Sequence, residues 1–143
     1  MPHVFVYGTL LAPEMMSTVT GKAFDAAPAV ARGYKRAYLS DRVYPGIVAD
    51  EACEVPGAVY LDVDDDSIRR LDYFEGPEYL RGPLVACLED GRELLAEAYI
   101  VPEINRHMLT DREWSLECFL AQDLTAFIAR AQNCMEGFKA GGV

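Results

Sequence analysis

The first segment whose residue types could perform chemistry is Tyr7-Gly8-Thr9-Leu10. It closes a strand-like apolar run and brings together a glycine, a small hydroxyl residue and the start of a possible helix. Glycine lets the backbone turn freely, and exposed N–H groups at a strand-to-helix turn can bind an anion. The other interpretation is an ordinary β-turn with Gly8 at a position that requires a positive φ.

The second segment, residues 71–76, places Glu75 at the end of a predicted short helix. Ile68, Leu71 and Glu75 are spaced by three and four residues, so they share one helical face. Because Ile68 and Leu71 must face the core, Glu75 should point inward, where desolvation raises the pKa of its carboxyl. Such a group can transfer protons near neutral pH. Alternatively, the helix frays before Glu75, or Glu75 pairs with a buried arginine such as Arg81.

The elements that must position these two segments are mostly strands. The strand-like segments are residues 4–7, 29–39, 43–48, 58–63, 80–88 and 94–101. The helical segments are residues 13–19, a short helix from about 64 to 74, and a long amphipathic helix after the capping-box sequence at 110–113. Strands dominate the first two thirds, which predicts one α+β domain over residues 1–143 with a curved or closed sheet. We expect residues 139–143 to fray.

Composition argues against several classes of function. The formal net charge is −10 at pH 7, so the surface should repel nucleic acids and anionic membranes. The four cysteines include no Cys-x-x-Cys pair, and the two histidines belong to no metal-binding pattern. We therefore predict reduced thiols and no metal site. No run approaches the ~20 apolar residues of a membrane span, and no secretion signal is recognisable, so a cytoplasmic protein is predicted.

Taken in order, the motifs resemble the γ-glutamylcyclotransferase-like family. They are Phe5-Val6-Tyr7-Gly8-Thr9-Leu10, then Tyr44-Pro45-Gly46, Pro56-Gly57-Ala58-Val59-Tyr60, Leu71-Asp72-Tyr73-Phe74-Glu75-Gly76 and Tyr79-x-Arg81. The similarity extends from residue 5 to about residue 101. Gly8-Thr9-Leu10-Leu11 and the C-terminal helix with Trp114 resemble the branch of plant avirulence-induced proteins and their bacterial relatives. The Gly and Asn that often follow the first motif in other branches are absent, which leaves the substrate open.

The resemblance implies a fold and a reaction. The fold is a small, mostly antiparallel β-barrel with flanking helices and a long C-terminal helix. The reaction is cofactor-independent and of the acyltransferase or lyase type: a γ-glutamyl amine or amino acid cyclises to 5-oxoproline and releases the amine. Glu75 would be the catalytic acid and base, without a metal or a nucleophilic side chain.

The resemblance also implies a set of substrate-binding residues. Backbone N–H groups of Gly8, Thr9 and Leu10 would hold the substrate carboxylate or the developing oxyanion. Tyr7 and Tyr44 would line the pocket, and Tyr79 would close it.

Two other functions remain open at this level. One is a non-catalytic module that binds a small acidic metabolite in the same cavity. The other is a γ-glutamyl acyltransferase that uses the same carboxylate. An exposed aromatic anchor would favour a protein partner, but Trp114 is expected to be a packing residue.

Overall fold

The structure, a computed structural model, describes residues 1–141. Its strands are β1 (Val4–Val6), β2 (Ala26–Tyr38), β3 (Pro45–Tyr60), β4 (Leu80–Leu88) and β5 (Glu93–Ile100), and its α-helices are α1 (Pro13–Thr20), α2 (Asp65–Glu75), α3 (Leu116–Cys118) and α4 (Leu124–Gly141). Short 3-10 turns lie at Thr9–Leu11 and Glu103–Met108, and a π-helical turn at Phe119–Asp123 joins α3 to α4. No helix in residues 1–141 is long and apolar enough to cross a membrane.

The five strands close into a barrel in the order β1-β3-β2-β4-β5. The β1–β5 pair is parallel, with Val4 opposite Glu97, and the other neighbouring strands pair in antiparallel fashion. Strands β4 and β5 form an antiparallel hairpin, and the turn between them contains Gly91 with φ +91°. The predicted α+β fold, a mostly antiparallel barrel with flanking helices and a long C-terminal helix, is confirmed.

Alternation along β1 builds two hydrophobic cores. Phe5 belongs to a cluster formed by residues of all five strands, which fills the barrel. Val4 and Val6 belong to the other cluster, where Leu71 of α2 and Trp114 also lie. Thus β1 holds the barrel and the outer helices together, and the chain leaves this strand directly into the Tyr7-Gly8-Thr9-Leu10 turn.

The prediction of separate strands at 43–48 and 58–63 is wrong, because residues 45–60 form the single strand β3. The polar residues between them resemble a connecting loop in the sequence. In the structure, residues 50–53 are accommodated where the β2–β3 register shifts between Arg32 and Tyr34, opposite Gly33 with φ +84°. A bulge therefore absorbs the polar segment without ending the strand.

The predicted capping box at 110–113 does not start the last helix. The hydroxyl of Thr110 donates a hydrogen bond to the carbonyl of Tyr38 (2.8 Å), so this segment binds the end of β2. Ser115 is the N-cap instead, and its hydroxyl accepts a hydrogen bond from the amide of Cys118 (3.2 Å). Trp114 is 2 % exposed, as expected of a packing residue. The helix continues to Gly141 rather than fraying from Lys139, and residues 142–143 lie outside the described range.

Candidate active site

A cavity of about 330 Å³ opens beside the first turn of the chain. Its wall includes residues of that turn, of the start of β3, of the end of α2 and of α4. The sequence-predicted site residues on this wall are Tyr7, Gly8, Thr9, Leu10, Tyr44, Glu75 and Tyr79. The structure therefore brings all seven together, although their roles stay predictions.

Helix α2 carries Glu75 to the cavity. The side chain of Asp64 caps the helix by accepting a hydrogen bond from the amide of Ser67 (3.2 Å). Ile68 and Leu71 are 6 % and 0 % exposed, so the face that they share with Glu75 is the buried face. The helix continues through Glu75 and ends at Gly76, whose φ is +75°. The alternative in which the helix frays before Glu75 is wrong.

The carboxyl of Glu75 has no hydrogen-bond or ion-pair partner among residues 1–141. Burial, reinforced by the negative charges of Glu78 and Asp72, raises its pKa to about 8. The alternative pairing with Arg81 does not occur, because Arg81 binds Asp72 (2.9 Å) and Glu97 (3.2 Å). Glu75 is therefore an unpaired acid whose pKa lies close to neutral.

Asp72 fixes the orientation of α2 against the barrel. Its Oδ1 atom accepts two hydrogen bonds, one from the hydroxyl of Tyr99 (2.7 Å) and one from Nε of Arg81 (2.9 Å). Tyr99 lies on β5 and Arg81 on β4, so Asp72 joins the helix to two strands. This linkage positions Glu75 one helical turn further along.

Gly8 is required by close packing rather than by its backbone angles. Its φ is −131°, so the interpretation as a turn glycine with positive φ is wrong. A Cβ atom at Gly8 would lie 2.8 Å from Cγ and 2.9 Å from Cδ of Pro45. Glycine thus allows the first turn to lie directly against the start of β3.

In the first turn the carbonyls are satisfied, whereas three of the N–H groups are free within the described residues. The carbonyl of Tyr7 accepts a hydrogen bond from Arg36 (2.9 Å), and that of Leu10 accepts one from the hydroxyl of Tyr60 (2.7 Å). The carbonyls of Gly8 and Thr9 accept from the amides of the residues three positions on. The N–H groups of Gly8, Thr9 and Leu10 donate to no other residue in the described part of the chain. Three adjacent free donors on a cavity wall suit a carboxylate or an oxyanion.

Tyrosines form fixed parts of the wall. The hydroxyl of Tyr7 donates to the carbonyl of Tyr99 (2.6 Å), and that of Tyr79 donates to the carbonyl of Pro45 (2.6 Å). Burial raises the pKa of both hydroxyls well above its usual value, so they remain donors. The hydroxyl of Tyr44 accepts from Nε of Arg42 (3.2 Å). These bonds hold the three rings in place around Glu75.

Sequence reasoning missed the contribution of α4. Phe127, Arg130 and Cys134 line the cavity, whereas the sequence indicates only a long amphipathic helix in this region. Their spacing of three and four residues puts them on one helical face. The signal available in the sequence was Arg130, a cation three residues after the apolar Phe127 and next to Ala131.

Comparison with known proteins places this geometry in a family. A family model described as gamma-glutamyl cyclotransferase, AIG2-like, matches residues 4–116. AIG2-like protein C of Arabidopsis thaliana is 33% identical over 134 residues, which cover 93% of this chain and 77% of that protein.

Solved structures share the fold. The solution structure of another Arabidopsis thaliana protein has a TM-score of 0.70 at 27% identity, covering 96% of this chain and 84% of that one. A structure described as a gamma-glutamyl cyclotransferase has a TM-score of 0.63 at 18% identity, covering 71% of this chain and 66% of that one. The chain therefore belongs to the γ-glutamylcyclotransferase family, in its AIG2-like branch.

Proposed function

We propose that this protein is a γ-glutamylcyclotransferase that converts a γ-glutamyl amino acid or amine to 5-oxoproline and the free amine. The observation that carries the proposal is the unpaired carboxyl of Glu75, with a pKa of about 8, in the same cavity as the free N–H groups of Gly8, Thr9 and Leu10. A proton-transfer group and an oxyanion site are the two requirements of this cyclisation.

The reaction begins at the α-ammonium of the bound substrate. Glu75, as carboxylate, takes a proton from this nitrogen, and the nitrogen then forms a bond to the γ-carbonyl carbon. The carbonyl oxygen becomes an oxyanion, to which free N–H groups of the first turn donate. Glu75 returns the proton to the leaving nitrogen as its bond to carbon breaks. The ring nitrogen then gives up its extra proton, which Glu75 takes and passes to the released amine. The α-nitrogen thus loses two protons and the leaving nitrogen gains two, so Glu75 ends as a carboxylate, as it began.

The raised pKa of Glu75 suits this role. A carboxyl with a pKa near 8 binds a proton strongly enough to accept one from an amine, and releases it again within the same reaction. The ammonium of the substrate lowers that pKa when it binds, because an opposite charge favours the carboxylate. Binding therefore produces the base that the first step needs.

Much of the rate acceleration in this mechanism comes from holding one molecule in a folded shape. The nucleophile and the electrophile belong to the same substrate, and good intramolecular alignment lowers barriers by about 7–11 kcal/mol. The fixed hydroxyls of Tyr7 and Tyr79 keep the wall rigid for this purpose. Family membership supports the reaction class, and the likeness to the structure described as a gamma-glutamyl cyclotransferase supports the fold.

The test is to incubate the purified protein with a panel of γ-glutamyl amino acids and amines and to follow 5-oxoproline by mass spectrometry. The Glu75→Gln variant, which keeps the shape but removes the titratable group, is assayed beside wild type. We expect product from wild type and almost none from the variant. Absence of 5-oxoproline with wild type would overturn the proposal, and transfer of the glutamyl group to an added amine would identify an acyltransferase instead.

We also propose that the protein works in the cytoplasm. Cys53, Cys87, Cys118 and Cys134 are all free thiols in the structure. Unpaired cysteines are typical of a reducing compartment. Fractionation of cells that produce the native protein, with cytosolic and membrane markers, tests this assignment.

A further inference from the structure

Arg36 of β2 is a half-buried cation that forms no ion pair within residues 1–141. Burial lowers the pKa of its guanidinium from the usual value, although the charge of Glu113 opposes this change. The Nε atom is buried and has no hydrogen-bond partner among the described residues. Because an arginine keeps its charge at neutral pH even so, the fold accepts a costly cation at this position.

The contacts of Arg36 are one aromatic ring and two main-chain carbonyls. Its guanidinium carbon lies 5.5 Å from the ring centre of Trp114. Nη1 donates a hydrogen bond to the carbonyl of Tyr7 (2.9 Å) and a longer one to the carbonyl of Pro56 (3.3 Å). A neutral amide side chain can also donate to carbonyls, so a tether between the end of β1 and β3 does not by itself require a charge. The charge therefore needs another explanation.

The carbonyl of Tyr7 belongs to the same peptide group as the free N–H of Gly8. In a trans peptide group the C=O and N–H bonds point in opposite directions, so this N–H points away from Arg36. Gly8 lies on the cavity wall, whereas Arg36 is not among the described residues that line the cavity. Arg36 thus binds this peptide group from behind, and the free donor is on the other side.

A cation that donates to a carbonyl polarises the peptide group, which makes its N–H a stronger donor. The other two free N–H groups of the first turn lack this effect. The carbonyl of Gly8, in the peptide group of the Thr9 N–H, accepts from the neutral amide of Leu11 (2.9 Å). The carbonyl of Thr9, in the peptide group of the Leu10 N–H, accepts from the neutral amide of Ala12 (3.2 Å). Gly8 therefore carries the strongest donor of the three.

We propose that Arg36 is a positioning residue that polarises the Tyr7–Gly8 peptide group, so that the N–H of Gly8 becomes the main donor to the oxyanion. This inference rests on the proposed function. The γ-carbonyl oxygen of the substrate has no net charge in the ground state and a negative charge in the tetrahedral intermediate. A stronger donor therefore favours the transition state over the bound substrate, and its benefit lies in kcat. The weaker donors of Thr9 and Leu10 remain available to the substrate carboxylate.

Three variants of Arg36 separate its charge from its contacts. Arg36→Lys keeps the charge and a donor, Arg36→Gln keeps a donor without the charge, and Arg36→Met keeps neither. Each is assayed for 5-oxoproline with the γ-glutamyl compound of the panel that wild type converts fastest. Circular dichroism checks the folding of each variant.

We expect kcat to follow the charge. Arg36→Gln should lower kcat about 10- to 100-fold, which is less than the roughly 10²–10³-fold cost of losing a whole oxyanion donor. Arg36→Met should lower kcat at least as far, whereas Arg36→Lys should retain most of it. KM should stay close to that of wild type in all three variants, because the polarised donor acts mainly in the transition state.

A matched control is Arg32→Gln. Arg32 lies on the same strand and is exposed, and its replacement changes the net charge by the same amount. This variant should leave both kcat and KM near those of wild type.

Equal kcat in Arg36→Lys and Arg36→Gln would overturn the inference, because a tether alone would then explain the residue. A rise in KM without a fall in kcat would overturn it as well. Failure of both neutral variants to fold would do the same, since Arg36 would then be required by the fold itself. In these cases the cyclotransferase function stands on the wild-type activity. Failure of wild type to form 5-oxoproline from any compound of the panel overturns the proposed function, and this inference with it.

Discussion

The two ends of helix α2 carry carboxylates in opposite environments. At the start, Asp64 accepts hydrogen bonds from the amide and the hydroxyl of Ser67 and from the ammonium of Lys22 (2.9 Å). The hydroxyl of Ser67 and the ammonium of Lys22 hold the pKa of Asp64 well below its usual range. At the end, Glu75 has no such partner among the described residues, and burial beside Glu78 and Asp72 raises its pKa to about 8.

The helix dipole increases this difference, because negative charge is favoured at the N-terminus of a helix and disfavoured at its C-terminus. Asp64 therefore stabilises the helix, whereas Glu75 is a costly group for the fold. A residue that opposes folding in this way, at a cavity wall, indicates function. The same helix shows how local environment separates a structural acid from the acid that we propose for proton transfer.

The largest expected effect is the difference in kcat between two variants, each of which neutralises one of the two acids. Glu75→Gln should lower kcat for 5-oxoproline formation about 10²–10⁴-fold, the usual contribution of a general acid or base. Asp64→Asn should keep kcat close to wild type, because asparagine also caps helices well and Asp64 is absent from the cavity wall. Steady-state kinetics with circular dichroism as a folding check measure both. Equal losses in the two variants would remove the distinction between the two ends.

A smaller effect is expected from Gly8→Ala, which tests the other half of the site. The new methyl group would overlap the ring of Pro45 and displace the free N–H groups. We expect kcat/KM to fall about 10- to 100-fold, as for a small misplacement of catalytic groups. Gly82→Ala is the matched control, since its Cβ would meet only Cδ1 of Ile100 at 3.9 Å. Full activity in Gly8→Ala would contradict a role for the turn.

The pH dependence of wild type should follow Glu75. Below pH 8 Glu75 of the free enzyme is mostly protonated, and so is the amine of the substrate. Glu75 must lose its proton before it can accept one from the substrate. We therefore expect kcat/KM to rise by about tenfold per pH unit up to about 8. An acid limb near pH 4.5, the ordinary value for glutamate, would assign the proton transfer to an unperturbed group instead.

The smallest effects concern stability, and the two acids should act with opposite signs. Asp64→Ala should lower the free energy of unfolding at pH 7 by about 0.5–2 kcal/mol through loss of the cap. Because the folded-state pKa of Asp64 is lowered, this loss should diminish as the pH falls below the ordinary value of 3.8.

For Glu75, the folded-state pKa is raised, so wild-type stability should decline as the pH rises from 4.5 to about 8. Glu75→Gln should remove this decline, which is at most about 1.4 kcal/mol per pH unit. Urea unfolding at pH 5 and pH 8 measures the slope for Glu75→Gln, and a further series below pH 3.8 measures the change for Asp64→Ala. The same pH slope in wild type and Glu75→Gln would contradict the desolvation that raises the pKa of Glu75.

Much of the site could be predicted from local sequence patterns. The spacing of Ile68, Leu71 and Glu75 defines one helical face whatever the rest of the chain does. The order of elements also indicates the α+β class. These features depend on short-range geometry, which a sequence reports directly.

The errors arise where distant parts of the chain decide the outcome. Thr110 begins a good capping box, but Tyr38 of β2 offers its hydroxyl another partner. The polar residues 50–53 resemble a loop until pairing with β2 keeps them within β3. Closure of the barrel and the approach of Arg130 to Tyr44 depend on packing between segments far apart in sequence.

The most direct test of the difference between the two acids is a titration of side-chain carboxyl carbons by NMR in ¹³C-labelled protein. The Glu75 signal is assigned by its absence in Glu75→Gln, and the Asp64 signal by its absence in Asp64→Asn. We expect Glu75 to titrate with a midpoint of about 8 and Asp64 below its usual range. A midpoint for Glu75 near 4.5 would contradict the central claim that the fold prepares this carboxyl for proton transfer.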